Sequence, residues 1–227
     1  MLRSLGLLAL VAGAIALVWY DLGRPIPMPP SPLGSGEKLT CISYAPFHGD
    51  QAPYTWNLRI PDRQIAGDLQ RLAELTSCVR TYSAKGPQGR IAKLAAGYGL
   101  EVLQGIWLGR NRAENRREIE AALALARRHP DTIKALIVGS ETLLRGELPP
   151  ARIKAYLEEV RRRSGLPVTY AAVWEFWLKA PELVRAPMLM KLLEEFVEHA
   201  EQEPENLSDD LTKLAQIARR IISEVSG

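Results

Sequence analysis

The 227-residue sequence predicts an α/β fold in which parallel strands are joined by helices, and three observations lead there. Short β-rich runs recur over 39–44, 79–82, 102–107, 135–138 and 168–171. Helix-period runs over 64–75, 89–98, 113–129 and 150–164 separate them, with apolar residues at helical intervals such as Ile119, Leu123 and Ala126. The spacers suit crossovers rather than tight hairpins. Each helix must therefore pack back over the sheet, and right-handed crossovers wind the units into an open sheet or a barrel.

Composition sets the bounds. The chain is 47% hydrophobic and 24% charged, which is globular and excludes disorder and collagen-like repeats. Lys and Arg number 29 against 26 Asp and Glu, for a net charge of +3. The basic residues are dispersed among acids, so no nucleic-acid partner is expected. Two cysteines exclude a disulfide-rich scaffold and a CxxC zinc site. No His/Asp/Glu spacing suits a metal, no cofactor is expected, and the run 85–89 lacks the Walker phosphate-loop pattern.

Taken in chain order, the first element is the uncharged run 4–20, preceded by Arg3 and closed by Asp21. Its 17 residues reach about 26 Å as a helix, near the lower limit for a hydrocarbon core of about 30 Å. Trp19 and Tyr20 suit a headgroup region, and small-x-small cleavage sites fall inside the run. The expectation for 1–20 is an N-terminal transmembrane helix, uncleaved rather than a removed signal, with the rest of the chain extracytoplasmic: membrane-anchored in the periplasm or at the cell surface, or alternatively secreted. Residues 21–37 carry Pro25, Pro27, Pro29, Pro30 and Pro32 and read as an extended linker. The folded domain is expected over 38–184.

The carboxyl ends of the five strands gather unusual residues. Tyr44 ends the first, Arg80 and Tyr82 the second, Trp107 the third, Ser140 and Glu141 the fourth, and the fifth leads into Trp174. Apolar sugar faces stack on aromatic rings while hydroxyls bond Arg, Tyr and Ser, so this rim suits carbohydrate. Each ring alone reads as core packing; the signal lies in their joint placement.

In this order the chain resembles bacterial members of glycoside hydrolase family 17, the β-1,3-glucan-active hydrolases and transglycosylases with a (β/α)₈ barrel. The resemblance rests on Ile42-Ser43-Tyr44-Ala45-Pro46, Val79-Arg80-Thr81-Tyr82-Ser83, Gly105-Ile106-Trp107-Leu108-Gly109, Asn115-Arg116-Arg117-Glu118-Ile119-Glu120, Val138-Gly139-Ser140-Glu141-Thr142 and Val173-Trp174-Glu175-Phe176-Trp177. It implies a partial (β/α) barrel of about five parallel strands acting on a β-glucan. Glu141 would be the general acid/base, and Tyr44, Arg80, Tyr82, Trp107, Ser140 and Trp174 would contact substrate. A glycosidic oxygen leaves poorly unless protonated, and a carboxylic acid in a partly dry cleft can supply that proton.

Two departures from the family stand out. Ser140 occupies the place of an Asn whose amide normally holds the sugar 2-hydroxyl, and serine is shorter with one donor. The family's nucleophile is a Glu on the seventh strand, and the sequence beyond Val184 has no match to that region. Glu175 is a poor substitute, since it follows the fifth strand instead of facing Glu141 across a barrel. The expectation is therefore an incomplete, truncated enzyme, inactive as this chain alone, with a non-catalytic glucan-binding or envelope-assembly module as the alternative.

Apolar stripes at 189–197 and 211–222 predict a helical hairpin over 185–227, covering the open sheet or pairing with a second copy. Cys41 and Cys78 fall on neighbouring strands, where a direct bridge strains disulfide geometry, so two small buried thiols are expected. His129 reads as a helix-end residue favoured by the dipole, and His48 as a solvated loop residue rather than a sugar contact.

Overall fold

The computed structural model describes residues 2–25, 33–34, 36–55 and 57–180, with scattered positions beyond: 183, 197–198, 212, 215–216, 218–219 and 222–223. The side chains of residues 2–5, 174 and 178 lie outside that description. The chain divides into two compact units, Met1–Glu37 and Lys38–Gly227.

The first unit contains helix α1 (Leu2–Leu22), whose described side chains are exposed. Among the described residues no helix is long and apolar enough to cross a membrane. This corrects the expected transmembrane helix. Physically, the uncharged stretch reaches only about 26 Å before Asp21 interrupts it, short of the roughly 30 Å hydrocarbon core.

The second unit is built on β1 (Ile42–Ser43), α2 (Asp62–Leu75), β2 (Cys78–Arg80), α3 (Ile91–Ala95), β3 (Glu101–Ile106), α4 (Arg112–Arg128), β4 (Ile133–Ser140), α5 (Pro150–Ser164), β5 (Val168–Ala171) and α6 (Trp174–Lys179). Short 3₁₀ turns flank α3. The five strands form one sheet in chain order, every pair parallel. Ile42 pairs with Val79, Val79 with Val102, Leu103 with Ala135, and Leu136 with Val168. This is an α/β arrangement consistent with a partial barrel.

Each helix stops and starts for a local reason. Asn111 caps α4, its side chain accepting from the backbone of Ala113 and Glu114. Pro150 opens α5, and Gly165, in the left-handed region, closes it. The core joins strand residues Val79, Val102, Ile106 and Leu136 to helix residues Ile65, Leu69, Ile91, Ile119, Leu123 and Ile153, all fully buried. At roughly 1.5–3 kcal/mol for each such side chain, this layer holds the helices on the sheet. Gly105 is required on β3, because a Cβ there would collide with the carbonyl of Thr81, just past the end of β2.

Cys41 and Cys78 form a disulfide, against the expectation of two free thiols. Cys41 lies directly opposite Cys78, between the Leu39–Thr76 bridge and the Ile42–Val79 pair, with the two Cα atoms 4.3 Å apart, so the bond joins adjacent segments that the expectation had judged too close for it. His129 does cap α4, its N–H reaching Leu125 O at 2.9 Å. Burial, with Arg128 and Lys93 nearby, lowers its pKa, so the expected favourable charge on the dipole is opposed there. The hairpin expected over 185–227 lies almost wholly outside the described residues, though Ala215 and Ala218 are buried.

Candidate active site

The site forms where strands β1 to β5 end. Ser140 closes β4, and the chain then turns through Glu141, a non-glycine residue with φ of +54°. The turn is held from several sides. Glu141 N donates to Ala171 O on β5 at 2.7 Å, Glu141 O accepts from Arg145 N at 2.9 Å, and Leu143 N donates to the Tyr170 hydroxyl at 2.9 Å. Gly139, with φ of +86°, has no room for a side chain: a Cβ would lie 2.9 Å from Thr142 Oγ1 and 3.2 Å from the Tyr170 ring. The Glu141 side chain is exposed.

Arg80, leaving β2, donates from Nη2 to Ser140 Oγ at 3.0 Å, and its guanidinium lies 4.7 Å from the centre of the Tyr82 ring. Its Nε is buried with no hydrogen-bond partner among the described residues. Arg145 links the other side, with its guanidinium 4.2 Å from the centre of the Trp107 ring. It donates to the Ser140 and Leu108 carbonyls and to Glu147. One arginine thus fastens the end of β3 to the end of β4 beside Glu141.

Of the residues singled out in the sequence, Arg80, Tyr82, Trp107, Ser140 and Glu141 share this edge through those contacts. Tyr44 differs. It is 8% exposed, and its hydroxyl donates to Asp68 Oδ2 at 2.8 Å. Burial and the Asp68 bond push its phenol pKa well up. Trp174 begins α6, and its side chain is not among those described. His48 Nε2 also lies 2.8 Å from Asp68 Oδ2, so its ring is engaged where a free loop residue was expected. Burial pushes the Asp68 pKa up, but hydrogen bonds from Tyr44, His48 and Arg71 outweigh it and hold the carboxyl below its ordinary value.

A groove of about 610 Å³ opens beside this edge, over the ends of β1, β2 and β3. It brings Tyr82 and Trp107 together with Phe47, Pro53, Tyr54, Lys85, Gln88 and Glu118, none of which was read as a site residue. Glu118 carried the clearest missed signal. It lies on the buried face of α4 with Asn115, Ile119 and Ala122, where a carboxylate needs partners. They are Ser83 Oγ, Ala84 N and Trp107 N, at 2.7, 2.9 and 3.3 Å.

The parallel sheet thus carries an acid on the turn after its fourth strand and aromatic rings along the same edge. Residues 41–187 match the BtgE/BtgC glycoside hydrolase domain, more than half of the chain, and the protein belongs to that family. No curated protein matches the sequence. The fold is similar to an endo-laminarinase from Formosa Hel1_33_131, with TM-score 0.57, 17% identity, and coverage of 82% of this chain and 61% of that one. It is also similar to an active-site mutant of Rhizomucor miehei β-1,3-glucanosyltransferase in complex with laminaritriose, with TM-score 0.50, 23% identity, and coverage of 60% and 50%. A glycoside hydrolase family 17 β-1,3-glucanosyltransferase from Rhizomucor miehei matches at TM-score 0.48, 24% identity, covering 59% and 49%. The resemblance read from the sequence therefore holds, and the chain spans about half to three fifths of these neighbours' lengths.

Proposed function

We propose that the domain binds β-1,3-glucan along the carboxyl edge of its sheet and that Glu141 is the proton donor facing a glycosidic oxygen there. The observation that carries this reading is the Glu141 backbone. A left-handed glutamate costs roughly 1–2 kcal/mol, and such strain concentrates at functional sites. Arg80 and Ser140 offer hydrogen bonds to sugar hydroxyls, Tyr82 and Trp107 offer ring faces, and Trp174 joins them by family resemblance. The laminarinase and laminaritriose-bound neighbours support the substrate class.

Turnover is a separate matter. Retaining cleavage needs a second carboxylate about 5–5.5 Å from the first. Among the described residues the sheet has five strands, so the family's seventh-strand nucleophile has no counterpart there. In the family, Glu141 would protonate the leaving oxygen and then deprotonate water or an acceptor sugar. With this chain alone we expect sub-millimolar binding of laminari-oligosaccharides by calorimetry and no reducing sugar from laminarin. Absence of binding overturns the substrate reading. Sugar release abolished by Glu141→Gln overturns the expectation of no turnover.

A second reading, a glucan-binding or assembly module that holds sugar without cleaving it, is favoured by the exposure of Glu141, since a general acid works best when partly dried. Binding that survives Glu141→Gln undiminished supports it. For location we propose an extracytoplasmic site of action, supported by the Cys41–Cys78 disulfide, because such bonds persist in oxidising compartments and are rare in cytosol. Free thiols at both positions in protein alkylated directly from cells would overturn it.

A further inference from the structure

We infer that Arg145 is a positioning residue, which sets the Trp107 ring against the sugar and ties that ring to the turn bearing Glu141. This rests on the glucan reading above and deepens it. The Arg145 guanidinium lies over one face of the Trp107 ring, 4.2 Å from its centre. Trp107 lines the groove and Arg145 does not, so the other face is the one turned to the groove. Trp107 is 42% exposed, and a ring so placed swings about its two side-chain bonds unless something stacks behind it. Arg145 is what stacks there, and it is itself fixed. Its Nε and Nη2 both donate to Glu147 Oε2, at 3.0 and 2.6 Å, and Nη2 also donates to Leu108 O at 2.8 Å.

The same residue reaches the acid. Arg145 Nη1 donates to Ser140 O, and its backbone N–H donates to Glu141 O at 2.9 Å. Other side chains also hold the segment that carries the ring. Trp107 N donates to Glu118 Oε2 at 3.3 Å, Gly109 N donates to Asn115 Oδ1 at 2.8 Å, and Asn115 Nδ2 donates to Gly109 O at 2.7 Å. Those bonds fix backbone only, and the ring is left to Arg145. A guanidinium suits the task because it is flat enough to lie on an indole and presents five donors in a rigid fork. A lysine ammonium is a point charge with no such plane, so it cannot cover the ring and span two carbonyls and a carboxylate together. A sugar stacked on Trp107 is thereby held at a set distance from the proton donor, and proton delivery depends on that placement.

The test is a double-mutant cycle on the full chain, read as laminarihexaose affinity by calorimetry. Arg145→Lys and Glu147→Gln are each made in the natural protein and in Trp107→Leu, with urea midpoints checking that every variant folds. Glu147→Gln carries the cycle by itself if Arg145→Lys does not fold. In the natural background Arg145→Lys should lower affinity by about threefold or more, and Glu147→Gln should lower it by less. In Trp107→Leu both should change affinity by less than about 1.5-fold, because the ring through which they act is gone. A loss that persists undiminished without the ring, as a general loosening of the fold would produce, overturns the proposal. Full affinity in both Arg145→Lys and Glu147→Gln overturns it too. If Trp107→Leu itself binds as tightly as the natural protein, the ring is no platform, and the proposal falls while the glucan reading stands. Failure of laminarihexaose to bind the natural protein overturns the reading on which it rests.

Discussion

A carboxylate on a strained backbone makes a measurable prediction. Glu141 sits at φ of +54°, a conformation that costs an L-residue roughly 1–2 kcal/mol. Glycine removes that cost and gives back about 0.5–1 kcal/mol through its freedom in the unfolded chain. Glu141→Gly is therefore expected to raise stability by on the order of 0.5–1 kcal/mol, read as a higher urea midpoint, while Glu141→Gln leaves it unchanged. A lower midpoint for the glycine variant would mean that the turn is unstrained and would remove the main support for Glu141 as the donor. Glu141, Arg80 and Trp107 were legible in the sequence because each ends a strand inside a recognisable run. Gln88 and Glu118 were not. Their importance comes from hydrogen bonds made to the backbone of Tyr82, Ser83, Ala84 and Trp107, partners that no local periodicity reveals.

At the scale of elements, the segment from Tyr44 to Ile60 is the part that sequence reading left shapeless. It carries Phe47 and Tyr54 to the groove, and α2 ties it down. Tyr44 and His48 bond Asp68, and Gln64 Nε2 donates to Pro46 O at 3.0 Å and to Gln51 Oε1 at 2.7 Å. Asp68 is the charged centre, faced by Tyr44, His48 and Arg71. Its folded pKa is held below the unfolded value, so its contribution is complete above the unfolded pKa and disappears as pH falls through the folded one. Stability measured by urea denaturation should therefore drop more steeply below about pH 4 in the natural protein than in Asp68→Asn, which has no proton to gain. Parallel slopes would show that the cluster does not fasten the loop. Helices α2, α4 and α5, by contrast, were readable to within about two residues. α5 begins at Pro150 and ends at Ser164 because proline and glycine punctuate it, whereas β1 shrank to two residues because strand length depends on what pairs beside it.

For the whole folded unit, the weak point is the β1 edge. Two residues make few ladder bonds, and a short edge strand guards against unwanted pairing at the expense of its own hold on the sheet. The Cys41–Cys78 disulfide supplies that hold. It closes a sequence separation of 37 residues around α2, the Asp68 cluster and the loop that serves the groove. Loop-closure entropy for a cross-link of that span corresponds to about 4 kcal/mol, toward the upper end of the 2–4 kcal/mol usually found. A Cys41→Ala, Cys78→Ala double variant should lose about 2–4 kcal/mol on urea unfolding. Because the loop bearing Phe47 and Tyr54 hangs from this edge, the variant should also bind laminari-oligosaccharides more weakly. If stability falls while laminari-oligosaccharide binding persists, the bridge serves the fold alone, and the groove is held by α2. If neither changes, the five-stranded sheet keeps its first edge without the bridge, and two residues of β1 with the Tyr44–Asp68 bond suffice.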